Sequence, residues 1–182
     1  LYEHTMDKKL LKRLLAFGKE RGIALGVTME NGDYYTAPEE VERIDVLRWG
    51  ETSRHFEDPM KLLELPVRTL AYIGGPDRVR ELEEHFPECK FFMFAGKTGA
   101  DVVENEASKA EGLKRLCEYY GMDLSQTVAF GDSMNDFEIV PRAGIGIAMG
   151  NSVEELKAAA DYVTDPIDRD GVWNACRHFG WI

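Results

Sequence analysis

The chain has 182 residues, of which 44% are hydrophobic and 30% are charged. This composition is that of a globular protein with one medium or two small domains, and it excludes an intrinsically disordered chain. Acidic residues outnumber basic ones by 33 to 22, and the net charge of −11 argues against binding to nucleic acid. No apolar run approaches the ~20 residues of a membrane-spanning helix. We therefore expect a cytoplasmic protein with no nucleic-acid partner and no membrane contact.

The three cysteines, Cys89, Cys117 and Cys176, are odd in number and widely spaced, and they include no C-x-x-C pair. A disulfide framework or a zinc site is therefore not expected. Three buried thiols in a reducing compartment are the simpler interpretation.

The first 105 residues combine helices with β-hairpins. Four leucines between positions 10 and 15 lie on one face of a helix predicted from Asp7 to Arg21, with Gly22 as its stop. Asn31-Gly32 predicts a hairpin turn, and residues 51–64 are predicted as a loop with one helical turn. The other predicted elements are helices at 38–49 and 77–86 and strands at 23–30, 33–36, 67–73, 90–95 and 100–104. This mixture indicates an α+β domain built on an antiparallel sheet.

After about residue 105 the pattern changes to helices that alternate with short apolar strands. Strands are predicted at 127–130, 145–149 and 161–164, and helices at 108–120, 136–142, 152–160 and 171–179. Two helix starts have the S-x-x-E pattern of a capping box, at Ser108 and at Ser152. The alternation predicts a parallel sheet covered on both faces, and it places a domain boundary near residue 105.

The loop Gly131–Asp136, with the sequence G-D-S-M-N-D, directly follows the strand predicted at 127–130. In an open parallel sheet, ligands bind beyond the carboxyl ends of the strands. Two carboxylates and an amide within five residues form a hard-oxygen ligand set that suits Mg²⁺. Taken alone, the loop is better explained by an Asx turn that only caps a helix.

Two further features point to the same edge of the sheet. Lys109 lies in the first turn of its helix, where its charge opposes the helix dipole and could serve a bound anion. The loop Met149–Ser152 follows the next strand; Ser152 is explained as a helix cap, whereas Asn151 is left open. Alone, Lys109 is better explained as a solvated surface side chain.

In combination, Ser108–Gly112, Gly131–Asp136 and Met149–Ser152 resemble successive motifs of the haloacid dehalogenase (HAD) superfamily, and most closely its Cof-like branch of sugar phosphatases. The motif resemblance covers about residues 104–182. It implies an α/β protein in which residues 106–182 form the C-terminal half of a Rossmann-like HAD core. Residues 1–105 carry no motif, but their layout is similar to the α+β cap domain of that branch.

The resemblance also implies a Mg²⁺-dependent phosphatase that acts on a small phosphorylated metabolite, a sugar phosphate, through an aspartyl-phosphate. Lys109, Asp132 and Asp136 would then be catalytic. Asp132 would bind Mg²⁺ directly, and Asp136 and Asn135 would support the metal and the phosphate through hydrogen bonds or water. Lys109, Asn135 and Asn151 would bind the phosphate.

The sequence departs from the family in one respect, because the nucleophile motif D-x-D-G-T does not occur in it. Asp168–Gly171 has the spacing, but Val172 replaces the threonine and the segment follows the G-D-x-x-N-D motif, so we reject it. We expect the nucleophile segment to come from the full-length protein or from another chain, and this chain alone to be inactive. The alternatives are a phosphomutase-like relative and a non-catalytic fragment or binding module.

Overall fold

The computed structural model describes residues 3–94 and 96–182, and its architecture is the mixed α/β fold that the sequence predicts. The chain divides into two compact units, a first unit that ends at Asn105 and a second unit, Glu106–Ile182. The first unit contains an antiparallel sheet and the second a parallel sheet. The interpretation of the units as cap and half core stays a prediction.

The first unit has five antiparallel strands in the order β2-β1-β3-β5-β4. Its strands are β1 (Ala24–Met29), β2 (Gly32–Tyr35), β3 (Leu70–Ile73), β4 (Cys89–Met93) and β5 (Gly99–Glu104). Its helices are α1 (Lys8–Arg21), α2 (Pro38–Trp49) and α3 (Asp77–His85), with a 3₁₀ helix at Pro59–Glu64. The predicted helical turn within 51–64 is thus present, and β4 is shorter than the predicted strand, whose last residue, Ala95, lies outside the described residues.

Helix α1 shows how the local sequence produces this unit. The Asp7 carboxylate accepts hydrogen bonds from the first backbone N–H groups of the helix, and Gly22 ends it with a left-handed φ of 59°. The leucine face of α1 is fully buried in the main core of the unit, against side chains from β1, β3 and β5 such as Leu25, Leu70 and Val102. Burial of each such side chain stabilises the fold by about 1.5–3 kcal/mol.

The second unit has three short parallel strands in the order β6-β7-β8. They are β6 (Val128–Gly131), β7 (Ile145–Ala148) and β8 (Tyr162–Val163), and the helices are α4 (Lys109–Tyr120), α5 (Glu154–Ala159) and α6 (Gly171–His178). Short 3₁₀ helices lie at Leu124–Gln126, Met134–Asp136, Val140–Arg142 and Ile167–Arg169. A small cluster of Val140, Ala148 and Leu156 joins β7 to α5.

Two local predictions in this unit are wrong. The helix predicted at 136–142 is replaced by the two 3₁₀ helices that flank Phe137–Ile139, because the segment is short and Pro141 lacks a backbone donor. Ser152 does not cap α5. The helix begins at Glu154, and Val153 occupies the capping position. The Ser152 backbone N–H instead closes a turn onto the Met149 carbonyl, and its hydroxyl is buried without a hydrogen-bond partner among the described residues.

Across residues 3–94 and 96–182, no helix combines the length and the hydropathy needed to cross a lipid bilayer.

The two sheets should differ in local stability. Strand β3 is central in its sheet and packs on the larger core, whereas β6 lies at the edge of three short strands. Amide hydrogens open locally where few apolar contacts hold a strand. Hydrogen exchange followed by mass spectrometry should therefore show slower exchange for Leu70–Ile73 than for Val128–Gly131. Equal exchange, or faster exchange in β3, would contradict this ranking.

Candidate active site

Strand β6 delivers Asp132 to the carboxyl end of the parallel sheet. Gly131, the last residue of the strand, is packed so closely that a Cβ there would lie 2.6 Å from Asp136 Cβ and 2.7 Å from Val140 Cγ2. Any larger residue would push the loop away from the sheet. The side chain of Asp132 itself is exposed. The glycine therefore fixes the backbone of a loop whose first carboxylate faces solvent.

The buried carboxylate of Asp136 holds this loop together. The residue is only 4% exposed. Its Oδ2 accepts hydrogen bonds from the backbone N–H groups of Asp132, at 3.0 Å, and Ser133, at 3.4 Å. Its Oδ1 accepts a hydrogen bond from Lys109 Nζ at 2.5 Å. A buried carboxylate needs such partners, because desolvation penalises an unpaired charge by several kcal/mol.

Lys109 is brought to Asp136 by the start of α4. Ser108 caps this helix by accepting a hydrogen bond from the Glu111 backbone N–H at 3.2 Å. Lys109 is therefore the first helical residue, and its ammonium, although at the unfavourable end of the helix dipole, is compensated by Asp136. Its side chain remains 51% exposed, so part of the charge is open to a ligand.

Asn135 completes the cluster. Its side-chain oxygen accepts hydrogen bonds from Ser133 Oγ at 2.9 Å and from Lys109 Nζ at 3.4 Å. The amide oxygen is thereby occupied, and this leaves the NH₂ group as the available donor. Ser133 was not singled out in the sequence, although its S-x-x-D spacing to Asp136 matches the capping box that the structure contains.

Asn151 follows β7, and its side chain binds a neighbouring loop instead of joining the cluster of the other predicted site residues. Its side-chain oxygen accepts a hydrogen bond from the Ile167 backbone N–H at 3.0 Å. In the described part of the chain, no hydrogen bond links Asn151 to Lys109 or Asp136. The structure thus brings Lys109, Asn135 and Asp136 together with the backbone of Asp132 and gives Asn151 a loop-anchoring contact; the functional roles of all five remain predictions.

The donor chemistry of the loop fits a hard divalent cation, but only in part. Asp132 offers an exposed carboxylate, which is a ligand type that Mg²⁺ prefers. The oxygens of Asp136 are already engaged by Lys109 and by backbone N–H groups. Within residues 3–94 and 96–182, no three His, Cys, Asp or Glu side chains are grouped so that they could hold a metal. Asp132 would therefore supply one coordination position among several.

Comparison with known proteins decides the family. The sequence profile of the haloacid dehalogenase-like hydrolases matches residues 1–176. This chain is a haloacid dehalogenase-like hydrolase. YkrA of Bacillus subtilis, whose name proposes that it is a phosphatase, is 30% identical over 187 residues, and the match covers the whole of this chain and 70% of YkrA.

Other HAD proteins agree with this assignment. A Bacillus subtilis protein named 5-amino-6-(5-phospho-D-ribitylamino)uracil phosphatase, YcsE, is 42% identical over 85 residues, which are 47% of this chain and 33% of YcsE. The HAD subclass IIB sugar phosphatase BT4131 has a TM-score of 0.81 and 28% identity, and the match covers this whole chain and 70% of that structure. BT1666 from Bacteroides thetaiotaomicron has a TM-score of 0.89 and 25% identity, with 100% and 68% coverage.

The family resemblance predicted from the motifs is thus confirmed, and so is the α/β fold class. Its sequence is similar to that of YcsE, which is named a phosphatase, and its fold is similar to that of the sugar phosphatase BT4131. It spans about 70% of the length of YkrA and of BT4131.

Asp136 and Asp132 should respond differently to truncation. Asp136→Ala removes a buried acceptor of three hydrogen bonds and should lower the free energy of unfolding by about 2 kcal/mol. Asp132→Ala changes an exposed side chain and should stay within about 0.5 kcal/mol of the parent. Urea unfolding followed by tryptophan fluorescence measures both. A destabilised Asp132→Ala with an unaffected Asp136→Ala would contradict the assignment of Asp136 as the structural anchor.

Proposed function

We propose that this HAD chain supplies the metal- and phosphate-binding half of an active site that hydrolyses small phosphate monoesters. One observation carries the proposal: at the carboxyl end of β6, a half-exposed lysine ammonium is held 2.5 Å from a buried carboxylate. The same carboxylate anchors the backbone of an exposed aspartate. A structural ion pair would not require an exposed lysine, an exposed aspartate and a partly buried asparagine to be gathered at one strand end.

Lys109 acts in this proposal as a positioned positive charge. An ammonium has three N–H donors. One donates to Asp136 and one to Asn135, which leaves one for a phosphate oxygen. Phosphoryl transfer depends mainly on positioning and charge neutralisation, so a cation whose position is fixed before substrate binds lowers the barrier.

Asp132 and Asn135 would serve the metal and the phosphate, respectively. When bound, Mg²⁺ neutralises negative charge on the phosphoryl oxygens. Asp132 would hold it, and the hydrogen bond from its backbone N–H to Asp136 keeps the backbone that carries this carboxylate at the strand end. The NH₂ group of Asn135 would donate to a phosphate oxygen, because its carbonyl oxygen is occupied by Ser133 and Lys109. Asp136 would act on the metal and the phosphate indirectly, because it positions the Asp132 backbone and the Lys109 ammonium.

The proposed substrate is a phosphate ester of a sugar or a sugar alcohol. BT4131 is described as a sugar phosphatase, and the name of YcsE specifies a phosphorylated ribityl chain. Both descriptions share a phosphate on a polyhydroxylated carbon chain. We extend this shared chemistry to the present chain as part of the proposal. A phosphomutase or a purely binding role is less favoured, because YcsE is named a phosphatase and BT4131 a sugar phosphatase.

We further propose that the nucleophile is a carboxylate that forms an aspartyl-phosphate and that lies in a D-x-D-G-T segment outside these 182 residues. The motif does not occur in the sequence. Covalent catalysis of this kind divides one difficult displacement into two easier ones. The segment would be part of the same protein or of a partner chain.

The first test is hydrolysis of an aryl phosphate with Mg²⁺. These 182 residues alone should give no turnover above background. In a form of the protein that carries the D-x-D-G-T segment, Lys109→Ala and Asp132→Ala should each lower kcat by ~10² or more, the usual effect of removing one preorganised electrostatic group.

Lys114→Ala is the matched control, because Lys114 lies exposed on the same helix and pairs loosely with Glu118 at 4.0 Å. It should leave kcat unchanged. Turnover by the 182 residues alone would mean that the chain contains an unrecognised nucleophile, and normal rates in both Ala variants would reject the assigned roles.

Mg²⁺ affinity is a second, independent test. Mg²⁺ dehydrates reluctantly and needs near-octahedral oxygen ligands, and the described residues group no third carboxylate around Asp132. Isothermal titration calorimetry of these 182 residues should therefore show a dissociation constant well above the micromolar range. Micromolar binding that Asp132→Ala abolishes would show that the site is already complete.

A further inference from the structure

The first unit contains a polar cavity that uses none of the residues discussed above. Its volume is about 410 Å³, which falls in the range of small-molecule sites. It lies between the β1–β2 hairpin, the C-terminal end of α2 and the segment that follows that helix. The lining residues are Thr28, Asp33, Asp45, Trp49, Glu51, Thr52, Ser53 and Arg54.

Arg54 organises the wall of this cavity. Its Nε and Nη2 donate to the two oxygens of Asp45 at 2.6 and 3.2 Å. Its Nη1 donates to Asp33 Oδ1 and to Thr28 Oγ1, both at 2.9 Å. The Asp33 carboxylate also accepts from the Thr28 hydroxyl at 2.6 Å and from the His55 backbone N–H at 3.0 Å. Bidentate pairs of this kind fix side chains in one geometry.

Asp33 and Arg54 are both charged at neutral pH. Burial alone would raise the pKa of Asp33, but the hydrogen bonds from Thr28, Arg54 and His55 outweigh it and lower the pKa below its usual value. The pKa of Arg54 is raised, chiefly by its hydrogen bond to Asp45. The network therefore stays intact at neutral pH and gives the cavity a rigid wall before any ligand arrives, which lowers the entropic cost of binding.

The network is not saturated. A guanidinium has five N–H donors, and the contacts of Arg54 to described residues use four of them. One N–H of Nη2 remains, beside Asp45 Oδ1, which accepts only from that same Nη2 among the described residues. A free donor and a free acceptor thus lie side by side. The Thr52 hydroxyl, 3.5 Å from Asp45 Oδ2, lies next to them.

This pairing selects the ligand by its chemistry. Two neighbouring hydroxyl groups on one carbon chain can serve both, because one can accept from Arg54 while the other donates to Asp45. The lining holds three carboxylates and one guanidinium, a net charge of −2, which disfavours phosphate and other anions. A simple ammonium cannot accept the hydrogen bond of Arg54. The cavity therefore matches a neutral hydroxylated molecule better than an ion.

Trp49 supplies the apolar surface that such a molecule needs. It is 68% exposed at the edge of the cavity, and the Arg48 guanidinium, 5.0 Å from its ring centroid, restrains the indole. An exposed tryptophan beside hydrogen-bonding groups offers a flat surface to the C–H face of a sugar ring. We propose that this cavity binds a neutral sugar or polyol, with Arg54 and Asp45 binding two neighbouring hydroxyls and Trp49 packing against the carbon skeleton.

The proposal does not depend on the phosphatase assignment, because it uses no residue of the second unit. Calorimetric titration of the whole chain with D-glucose, D-mannose and ribitol tests it, with inorganic phosphate and spermidine as ionic probes. At least one of the three neutral probes should bind saturably. Trp49→Ala should weaken that binding about tenfold, equivalent to about 1.4 kcal/mol.

Trp173→Ala is the matched control, since Trp173 is similarly exposed but lies in α6 of the second unit. It should leave the affinity unchanged. Asp45→Asn keeps the shape of the side chain and should also weaken binding. Because Asp45 is buried, circular dichroism is used to check that this variant folds. If it does not fold, the test rests on Trp49→Ala, which changes an exposed side chain. No saturable binding of any neutral probe, equal binding in Trp49→Ala, or phosphate or spermidine binding that depends on Trp49 would each overturn the proposal.

Discussion

The carboxylate of Asp136 is the group on which the candidate active site depends. It is buried, and its burial is tolerated because two backbone N–H groups and the Lys109 ammonium share its lone pairs. Through these contacts a single side chain fixes the loop after β6, sets the direction in which Asp132 leaves the sheet and joins α4 to that loop. Partly exposed Lys109 and exposed Asp132 are thus positioned by a residue that a ligand would not need to touch.

The first unit also contains buried carboxylates, and there one cation pairs with two of them. There a buried pair of carboxylates, Asp33 and Asp45, is neutralised by one arginine, Arg54. A guanidinium can bridge two carboxylates because its donors form a planar fork, whereas an ammonium acts as a compact point charge. The lysine cluster suits an anion, and the arginine cluster, with its excess of negative charge, suits neutral hydroxyl groups. Each unit therefore offers a different surface chemistry to a polar ligand.

Most elements follow from local rules, and the exceptions have identifiable causes. Helices α1 and α4 lie where apolar periodicity, a cap residue and a terminal glycine agree. The predicted helix at 136–142 is absent, because Asp136 is used to bind the loop backbone and Pro141 interrupts the hydrogen-bond ladder. Ser152 matched a capping pattern, yet it is buried by the turn that returns to Met149. Local signals fail where tertiary contacts compete for the same backbone groups.

The sequence by itself determined the family, the two styles of secondary structure and the residues gathered after β6, because spacing along strands and helices carries that information. Only the tertiary structure decided which atoms those residues use: that Asp136 is an anchor, that Asn135 accepts hydrogen bonds through its side-chain oxygen, and that Asn151 binds a neighbouring loop. It also brought Arg54 to Asp33 and Asp45 from three separate segments. Such long-range pairings follow from packing, which has no fixed period along the chain for a sequence pattern to reveal.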